Sequence, residues 1–300
     1  MKALCLVTAT CNCEIMARSV EAAGHECLIE QYTNRPHDRH VELIELAKKE
    51  KPDFIVYIGS IEQYSTCLPV PSVDVLCALN DVAPMIHICG DACDSSWWSW
   101  LEKYNSKQCF TVQVSIDGSF DNPIATYDNG VLALTPIDCR PFNPLLWSDR
   151  STRLGLVGGL GHTKRFATIT SLINQKMLTF TETSPTRTYA EMAAILCNSK
   201  MVLNNADNGT GNRQHVKGRV IEAGFANCCL LESLGSPTNR WFVPGQEYLE
   251  YDDVHEVGLI LRDRTEESLI LIANKFHTRI VNEHHPKVFW NKVLQKAGLC

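Results

Sequence analysis

Short, continuous apolar runs alternate along this chain with segments whose apolar residues recur every three or four positions. KALCLVT (2–8), HECLIEQY (25–32), DFIVYIG (53–59), PMIHICGD (84–91) and QCFTVQVSI (108–116) have the run length of buried strands. Between them EIMARSVEAAG (14–24), HVELIELAKKEK (40–51), VDVLCALNDV (73–82) and SWWSWLEKYN (96–105) carry helical spacing. Gly24 ends the first helix, and Pro52 with Asp53 punctuates the second. Alternation this regular predicts a parallel sheet with right-handed crossovers.

The rhythm breaks at PIDCRPFNPLLWSDR (136–150), where three prolines fall within nine positions and make a stiff, extended connection. It then resumes. RLGLVGG (153–159), KMLTFTE (176–182), KMVLNN (200–205) and CCLLES (228–233) read as strands. Residues 163–175, TYAEMAAILCNS (188–199) and KGRVIEAGF (217–225) read as helices, and three more follow near 253–262, 265–282 and 285–297. The expected architecture is α/β, two Rossmann-like domains with a cleft between them. The N-terminal domain takes 1–140, the C-terminal domain 150–285, and a closing helix 286–300. A length of 300 residues agrees with two domains. No internal repeat or low-complexity segment is visible.

Composition changes this picture little. The chain is 45% hydrophobic and 21% charged, as a globular protein is, and its net charge of -6 argues against broad nonspecific nucleic-acid binding. No apolar stretch reaches the roughly 18 residues of a membrane span, and the N-terminus turns polar too soon for a signal peptide. The expected location is therefore cytoplasmic. There, 14 cysteines, several inside apolar runs such as KALCLV and ANCCLLE, read as reduced thiols and small buried hydrophobes. Cys11 with Cys13, and Cys89 with Cys93 near His87, lack the paired spacing of a structural zinc site, and no metal is assigned.

In open parallel sheets ligands sit beyond the carboxyl ends of strands, where helix N-termini present free N–H groups. VGGLGHTKR (157–165) is such a loop. Gly158, Gly159 and Gly161 allow close backbone approach, Lys164 and Arg165 add charge, and His162 faces either a bound ligand or solvent. A pyrophosphate is its natural partner, although a plain strand-to-helix turn would look alike. NADNGTGNRQHVKGRVIEAG (205–224) is richer. It carries Arg213, Lys217 and Arg219 and runs into a helix with Glu222, an acid able to accept both ribose hydroxyls. A solvated helix start with a capping glutamate is the other reading.

From about His215 onward the chain resembles the C-terminal portion of CgeB-like glycosyltransferases, a family-1-type group of GT-B enzymes. The resemblance rests on HVKGRVIEAGFANCCLLES followed by FVPGQEYLEYDD, a helix and an arginine-containing helical tail. Upstream, LGLVGGLGHTKR resembles the family's strand and loop, and LALTPIDCRPFNP its interdomain connection. The first half agrees in architecture only. The resemblance implies Glu222 as the ribose acid, with Arg219 and Arg165 near the diphosphate, and a final helix HHPKVFWNKVLQ that crosses back onto the first domain. Glu232 and Glu247 fall on acidic positions of the pattern without an assigned contact. Two positions depart: Asn227 replaces a glycine, and Gln214 stands where related retaining enzymes carry an acid.

The implied reaction moves a sugar from a nucleoside diphosphate, UDP foremost, to an acceptor hydroxyl. The nucleotide sugar is a co-substrate, there is no other cofactor, and no D-x-D pair calls for a metal. Asp91 is the candidate general base if the enzyme inverts, with His87 as the alternative or else a core histidine. Trp97 and Trp98 are placed to stack a sugar or base, and Thr10 and Asn12 to border the acceptor. The acceptor stays open among glycan, protein, lipid and a hydroxymethylated DNA base of the phage kind. Arg35, Arg39, Lys48, Lys49 and Lys51 either support DNA or form a solvated face. A nucleotide-sugar epimerase and a non-catalytic nucleotide-sugar-binding module are the rival readings.

Overall fold

The computed structural model describes residues 1–9, 11–59, 69–157, 163–178, 180–182, 187–207 and 214–299, leaving aside the side chains of Cys11, 163–165 and 180–182. The chain divides into two compact units, Met1–Asp138 with Pro286–Cys300, and Cys139–His285.

Unit 1 is a six-stranded parallel sheet. Its strands are β1 (Lys2–Val7), β2 (Glu26–Gln31), β3 (Phe54–Ile58), β4 (Met85–Cys89), β5 (Val112–Ser115) and β6 (Gly130–Leu132), in the order β2-β1-β3-β4-β5-β6. The inner strands β1, β3 and β4 are buried along almost their whole length because helices cover both faces, whereas the edge strand β2 (ECLIEQ) is only partly buried. Leu4, Leu6, Ile55, Tyr57 and Met85 pack under α2 (Glu42–Glu50), α3 (Val73–Val82) and α4 (Trp98–Ser106). Their neighbours Ala3, Cys5, Val7, Val56 and Ile86 pack on the other side with Ala17 and Val20 of α1 (Cys11–Ala22). That second face is completed by α10 (Pro286–Lys296), whose Phe289, Trp290, Val293 and Leu294 are buried in it. The indole Nε1 of Trp290 donates to Ser19 Oγ at 2.9 Å, so the largest side chain of that core carries no unmet donor.

Unit 2 repeats the plan with β7 (Thr152–Val157), β8 (Phe180–Glu182), β9 (Ser199–Asn204), β10 (Cys229–Ser233) and β11 (Leu249–Tyr251). All are parallel, in the order β11-β10-β9-β7-β8. One face is covered by α5 (Thr163–Asn174), α8 (Val254–Asp263) and the start of α9 (Glu266–Glu283). Helices α6 (Tyr189–Cys197) and α7 (Gly218–Phe225) pack against β7, β9 and β10. Renumbered within its own unit, the second sheet runs 2-1-3-4-5, the same order as the first five strands of unit 1. Each sheet therefore has a topological switch point, at β1/β3 and at β7/β9, where such folds bind ligands.

Close packing of α7 rests on small residues. A Cβ on Gly224 would fall on Ile280 Cγ1 of α9, and His277 Nδ1 lies 2.8 Å from the Gly224 carbonyl. The helix ends in a Schellman motif, with Cys228 N–H bonded to the Ala223 carbonyl and Asn227 N–H to that of Gly224. Asn227 adopts φ 52, the left-handed conformation that glycine and asparagine tolerate best. This accounts for the departure at Asn227: asparagine serves where the pattern has glycine. Beneath it the buried Arg150 donates to the carbonyls of Asn227 (2.8 Å), Ser199 (2.9 Å) and Leu145 (3.1 Å).

Candidate functional site

In unit 2 the loops leaving β7 and β9 flank the switch point. Gly158, Gly159, Gly161, His162 and Arg213 lie outside the described residues, as do the side chains of Lys164 and Arg165 in the first turn of α5. What is described is the frame around them. After β9, Ala206 N–H donates to Ser233 Oγ at 2.9 Å and the Ala206 carbonyl accepts from His215 N–H at 3.0 Å. Asp207 bridges Gln214, whose Nε2 donates to Asp207 Oδ1 and to the Leu234 carbonyl, each at 3.4 Å. Gln214 thus ties its own loop to the turn after β10. Burial, seconded by the charge of Lys217, lowers the His215 pKa to about 3, so this ring is neutral.

Lys217 stands at the N-cap of α7 and Arg219 and Glu222 on its first turns. Arg219 Nη1 lies 2.5 Å from Glu222 Oε2, three residues on, with side chains only 12% and 9% exposed. Arg219 Nε is buried and has no hydrogen-bond partner among the described residues. A carboxylate held against a guanidinium at a helix start, beside strand ends at a switch point, can accept hydroxyl hydrogens while the cation faces an anion.

The two acids without an assigned contact have structural partners. Glu232, fully buried at the end of β10, accepts from Asn204 Nδ2 (2.8 Å), Ser233 N–H (3.0 Å) and Thr238 Oγ1 (3.4 Å). Burial pushes its pKa up to about 7 against those bonds. Glu247 caps the 243–247 turn by accepting from Val243 N–H at 2.7 Å and pairs with Arg279 of α9 at 3.4 Å.

In unit 1, Asp91 follows the end of β4 and is half-buried; its carbonyl accepts from Asp94 N–H at 3.0 Å. Asp94 in turn accepts from Ser96 N–H at 3.0 Å. A residue that sequence reasoning missed holds this turn. Asp117, buried beyond β5, accepts from Cys93 N–H (2.6 Å), Ser115 Oγ (3.0 Å) and Ser119 N–H (2.9 Å). IDGS is legible as an Asp-Gly turn, but nothing in the sequence tells that its acid folds back on residue 93.

Two candidates are corrected. His87 has no exposure, stacks on Phe110 at 4.6 Å and touches Tyr57 and Tyr104, and burial lowers its pKa to about 4. A ring sealed in an aromatic core cannot take a proton from an acceptor. Trp97 is 7% exposed and packs into the same core, so it offers no face for stacking. Trp98 is half-buried, its Nε1 donating to the Ala92 carbonyl at 3.0 Å. Asn12 is exposed in the first turn of α1, and Thr10 lies outside the described residues.

Four of the five basic residues near α2 are matched by acids among the described residues. Arg35 pairs with Glu30 (2.9 Å) and Glu42 (2.5 Å), Arg39 with Glu42 (2.6 Å), Lys48 with Glu45 (3.0 Å) and Lys49 with Glu50 (3.8 Å). Among the described residues no helix is long and apolar enough to cross a membrane.

Residues 168–295 match the sequence model of a family described as glycosyl transferase-like. No curated protein sequence matches the chain significantly. Solved structures do, over nearly the whole length. Anabaena Alr3699/HepE, in complex with UDP-glucose, is 9% identical with a TM-score of 0.62, covering 99% of this chain and 98% of that one. A glycosyltransferase from Rickettsia africae ESF-5 is 10% identical with a TM-score of 0.60, covering 99% and 97%. An alpha-glucosyltransferase in complex with UDP-glucose and DNA containing an abasic site is 10% identical with a TM-score of 0.54, covering 98% and 99%. The fold is that of the GT-B glycosyltransferases, α/β with two Rossmann-like domains.

Proposed function

We propose that this chain is a glycosyltransferase that takes a sugar from a nucleoside diphosphate, UDP foremost, and transfers it to an acceptor hydroxyl. The observation that carries this reading is the Arg219–Glu222 pair at the start of α7. It stands beside the β7/β9 switch point, within the stretch that matches a glycosyl transferase-like family. Glu222 accepts from the ribose hydroxyls. Arg219, Lys217, Arg213, Lys164 and Arg165, with the amides of Gly158, Gly159 and Gly161, face the diphosphate, and His162 faces the donor sugar.

Little covalent chemistry is asked of the protein. Charge builds on the departing diphosphate as the anomeric bond breaks, and fixed cations aimed there stabilise the transition state more than the ground state. With that many cations in place transfer proceeds without a divalent ion, and a chelator is expected to leave the rate unchanged. On the acceptor side Asp91 takes the hydroxyl proton in an inverting reaction, with Thr10, Asn12 and Trp98 bordering the acceptor. A phosphate backbone at α2 would have to displace Glu30, Glu42, Glu45 and Glu50 from their cations. A glycan, protein or lipid hydroxyl is therefore preferred to DNA.

Thermal unfolding with UDP, GDP, ADP, TDP and CDP, each in large excess, tests the reading. A ligand at about 100 times its dissociation constant adds roughly 2.7 kcal/mol. For domains of this size that is a shift of about 5–10 °C. UDP is expected to win. No shift from any of the five would overturn the nucleotide-sugar reading.

A further inference from the structure

Two pairs of thiols in unit 1 lie sulfur to sulfur: Cys77 and Cys109 at 3.0 Å, and Cys5 and Cys27 at 3.3 Å. A disulfide needs about 2.05 Å. The second pair sits in a ladder. Cys5 is in register with Ile29 and Cys27 with Ala3, so these thiols are diagonal neighbours on β1 and β2, and bonding them would pull on the strand pairing. Cys77 and Cys109 carry no such constraint. Cys77 is on α3, and Cys109 lies in the turn between α4 and β5.

That turn and that helix are already fastened together. Asn80 Nδ2 donates to the Gln108 carbonyl at 3.2 Å, and Thr111 Oγ1 donates to Asn80 Oδ1 at 2.8 Å. The turn itself is fixed by a Schellman motif, with Gln108 N–H bonded to the Asn105 carbonyl, Cys109 N–H to that of Tyr104, and Gln108 at φ 53. The two sulfurs, 3.0 Å apart, thus have about 1 Å to close between segments already held together. Cys77 is half-buried and open to a small oxidant, whereas Cys109 is buried. Burial and the neighbouring Cys77 push the Cys109 thiol well up, so it stays protonated until it reacts.

We propose that Cys77 and Cys109 form a dithiol site that a hydroperoxide oxidises to an intramolecular disulfide. The Cys77 sulfur attacks the peroxide; the O–O bond breaks, Cys77 becomes a sulfenic acid, and one water leaves (an alcohol, if the peroxide is organic). The Cys109 sulfur then attacks the Cys77 sulfur, the S–O bond breaks, and the hydroxyl leaves as water with the Cys109 proton. Two thiols are oxidised by two electrons, and hydrogen peroxide is reduced to two waters. The bond staples α3 to the entry of β5 at the amino-terminal edge of the sheet, opposite the edge that bears Asp91. It thus modifies the stability of unit 1 without touching the proposed transfer site.

The test treats the full, reduced chain with hydrogen peroxide, counts thiols, maps cross-linked fragments by mass spectrometry and records thermal unfolding. Expected are the loss of two thiols ahead of the rest, a fragment joining Cys77 to Cys109, and a mass lower by two hydrogens. The unfolding midpoint is expected to rise by roughly 5–10 °C, and dithiothreitol should reverse the change. Cys109→Ser should lose the link and leave a sulfenic acid at Cys77 that dimedone traps, while Cys5→Ser should keep the link. If Cys109→Ser does not fold, the half-buried Cys77→Ser serves for loss of the link. A peroxide-treated chain whose other cysteines oxidise while Cys77 and Cys109 stay as thiols, or whose link joins other residues, overturns the proposal.

Discussion

Arg219 Nη1 and Glu222 Oε2 meet at 2.5 Å on one face of α7, so the acid proposed for the ribose is already oriented by a cation of its own helix. Such preorganisation lowers the cost of ordering the side chain when a ligand arrives. Glu222→Ala is expected to weaken UDP binding by roughly 10- to 150-fold, the worth of about 1.5–3 kcal/mol in bonds to a charged acceptor. Titration calorimetry measures it. Unchanged affinity in a folded variant would remove Glu222 from the site.

Asp91→Asn separates chemistry from binding. As the base of an inverting transfer, its loss should slow turnover by roughly 100- to 10,000-fold while UDP affinity stays as it was. A rate within a fewfold of the parent enzyme would sink the assignment.

Glu232 sets a pH dependence. Its pKa in the fold, about 7, lies above the ordinary value of 4.5 because burial penalises the charged form. The folded state therefore binds the proton more tightly than the unfolded chain does. The contribution is fully present below about pH 4.5 and is lost as pH rises through about 7, on the order of 3 kcal/mol in all. Urea unfolding from pH 4.5 to 8 should show the decline in the parent chain and a flatter profile in Glu232→Gln.

At the end of α7, Asn227→Ala should cost about 1–2 kcal/mol, since alanine pays for the left-handed conformation that Asn227 holds at φ 52. It also gives up the bond from Asn227 Nδ2 to Asn274 Oδ1, 3.0 Å long. Asn227→Gly should lie close to the parent. Equal losses for the two variants would show that the side-chain bond, not the backbone, is what matters there.

Gly224→Ala drives a methyl into Ile280 Cγ1 of α9, an overpacking that typically costs about 1–3 kcal/mol. Ile280→Ala makes room. The double variant should therefore lose less than the sum of the two singles, a coupling that a double-mutant cycle reads directly.

Most of this architecture was legible because its signals are local. The apolar runs of β1, β3, β4, β9 and β10, and the helical spacing of α2, α3, α6 and α9, survive into the structure within a residue or two. The strands β6 (Gly130–Leu132) and β11 (Leu249–Tyr251) were missed, each being three residues long and too short to establish a period. Side-chain environment was harder to read. His87 lies inside β4 and Trp97 in the turn region after it, close to a strand end as site residues are, yet Phe110 stacks on the first and the core of unit 1 encloses the second. The same limit applies to Asp117, Glu232 and Glu247, whose partners lie on other elements or turns. Of the cations near α2, Arg39, Lys48 and Lys49 have their acids within three residues, where a solvated helix face is legible, whereas Arg35 also reaches back to Glu30 on β2.

The placement of α10 has a consequence for biosynthesis. Unit 2 is continuous, Cys139–His285, whereas unit 1 is assembled from Met1–Asp138 and a helix encoded after all of unit 2. On the ribosome, at about 5–20 residues per second, the nascent first sheet waits with its α10 face uncovered while the second unit is translated. The apolar bed that Phe289, Trp290, Val293 and Leu294 fill stays open for that interval. The second unit to be made is thus the first that can finish folding, and the first sheet is the nascent segment most in need of a chaperone.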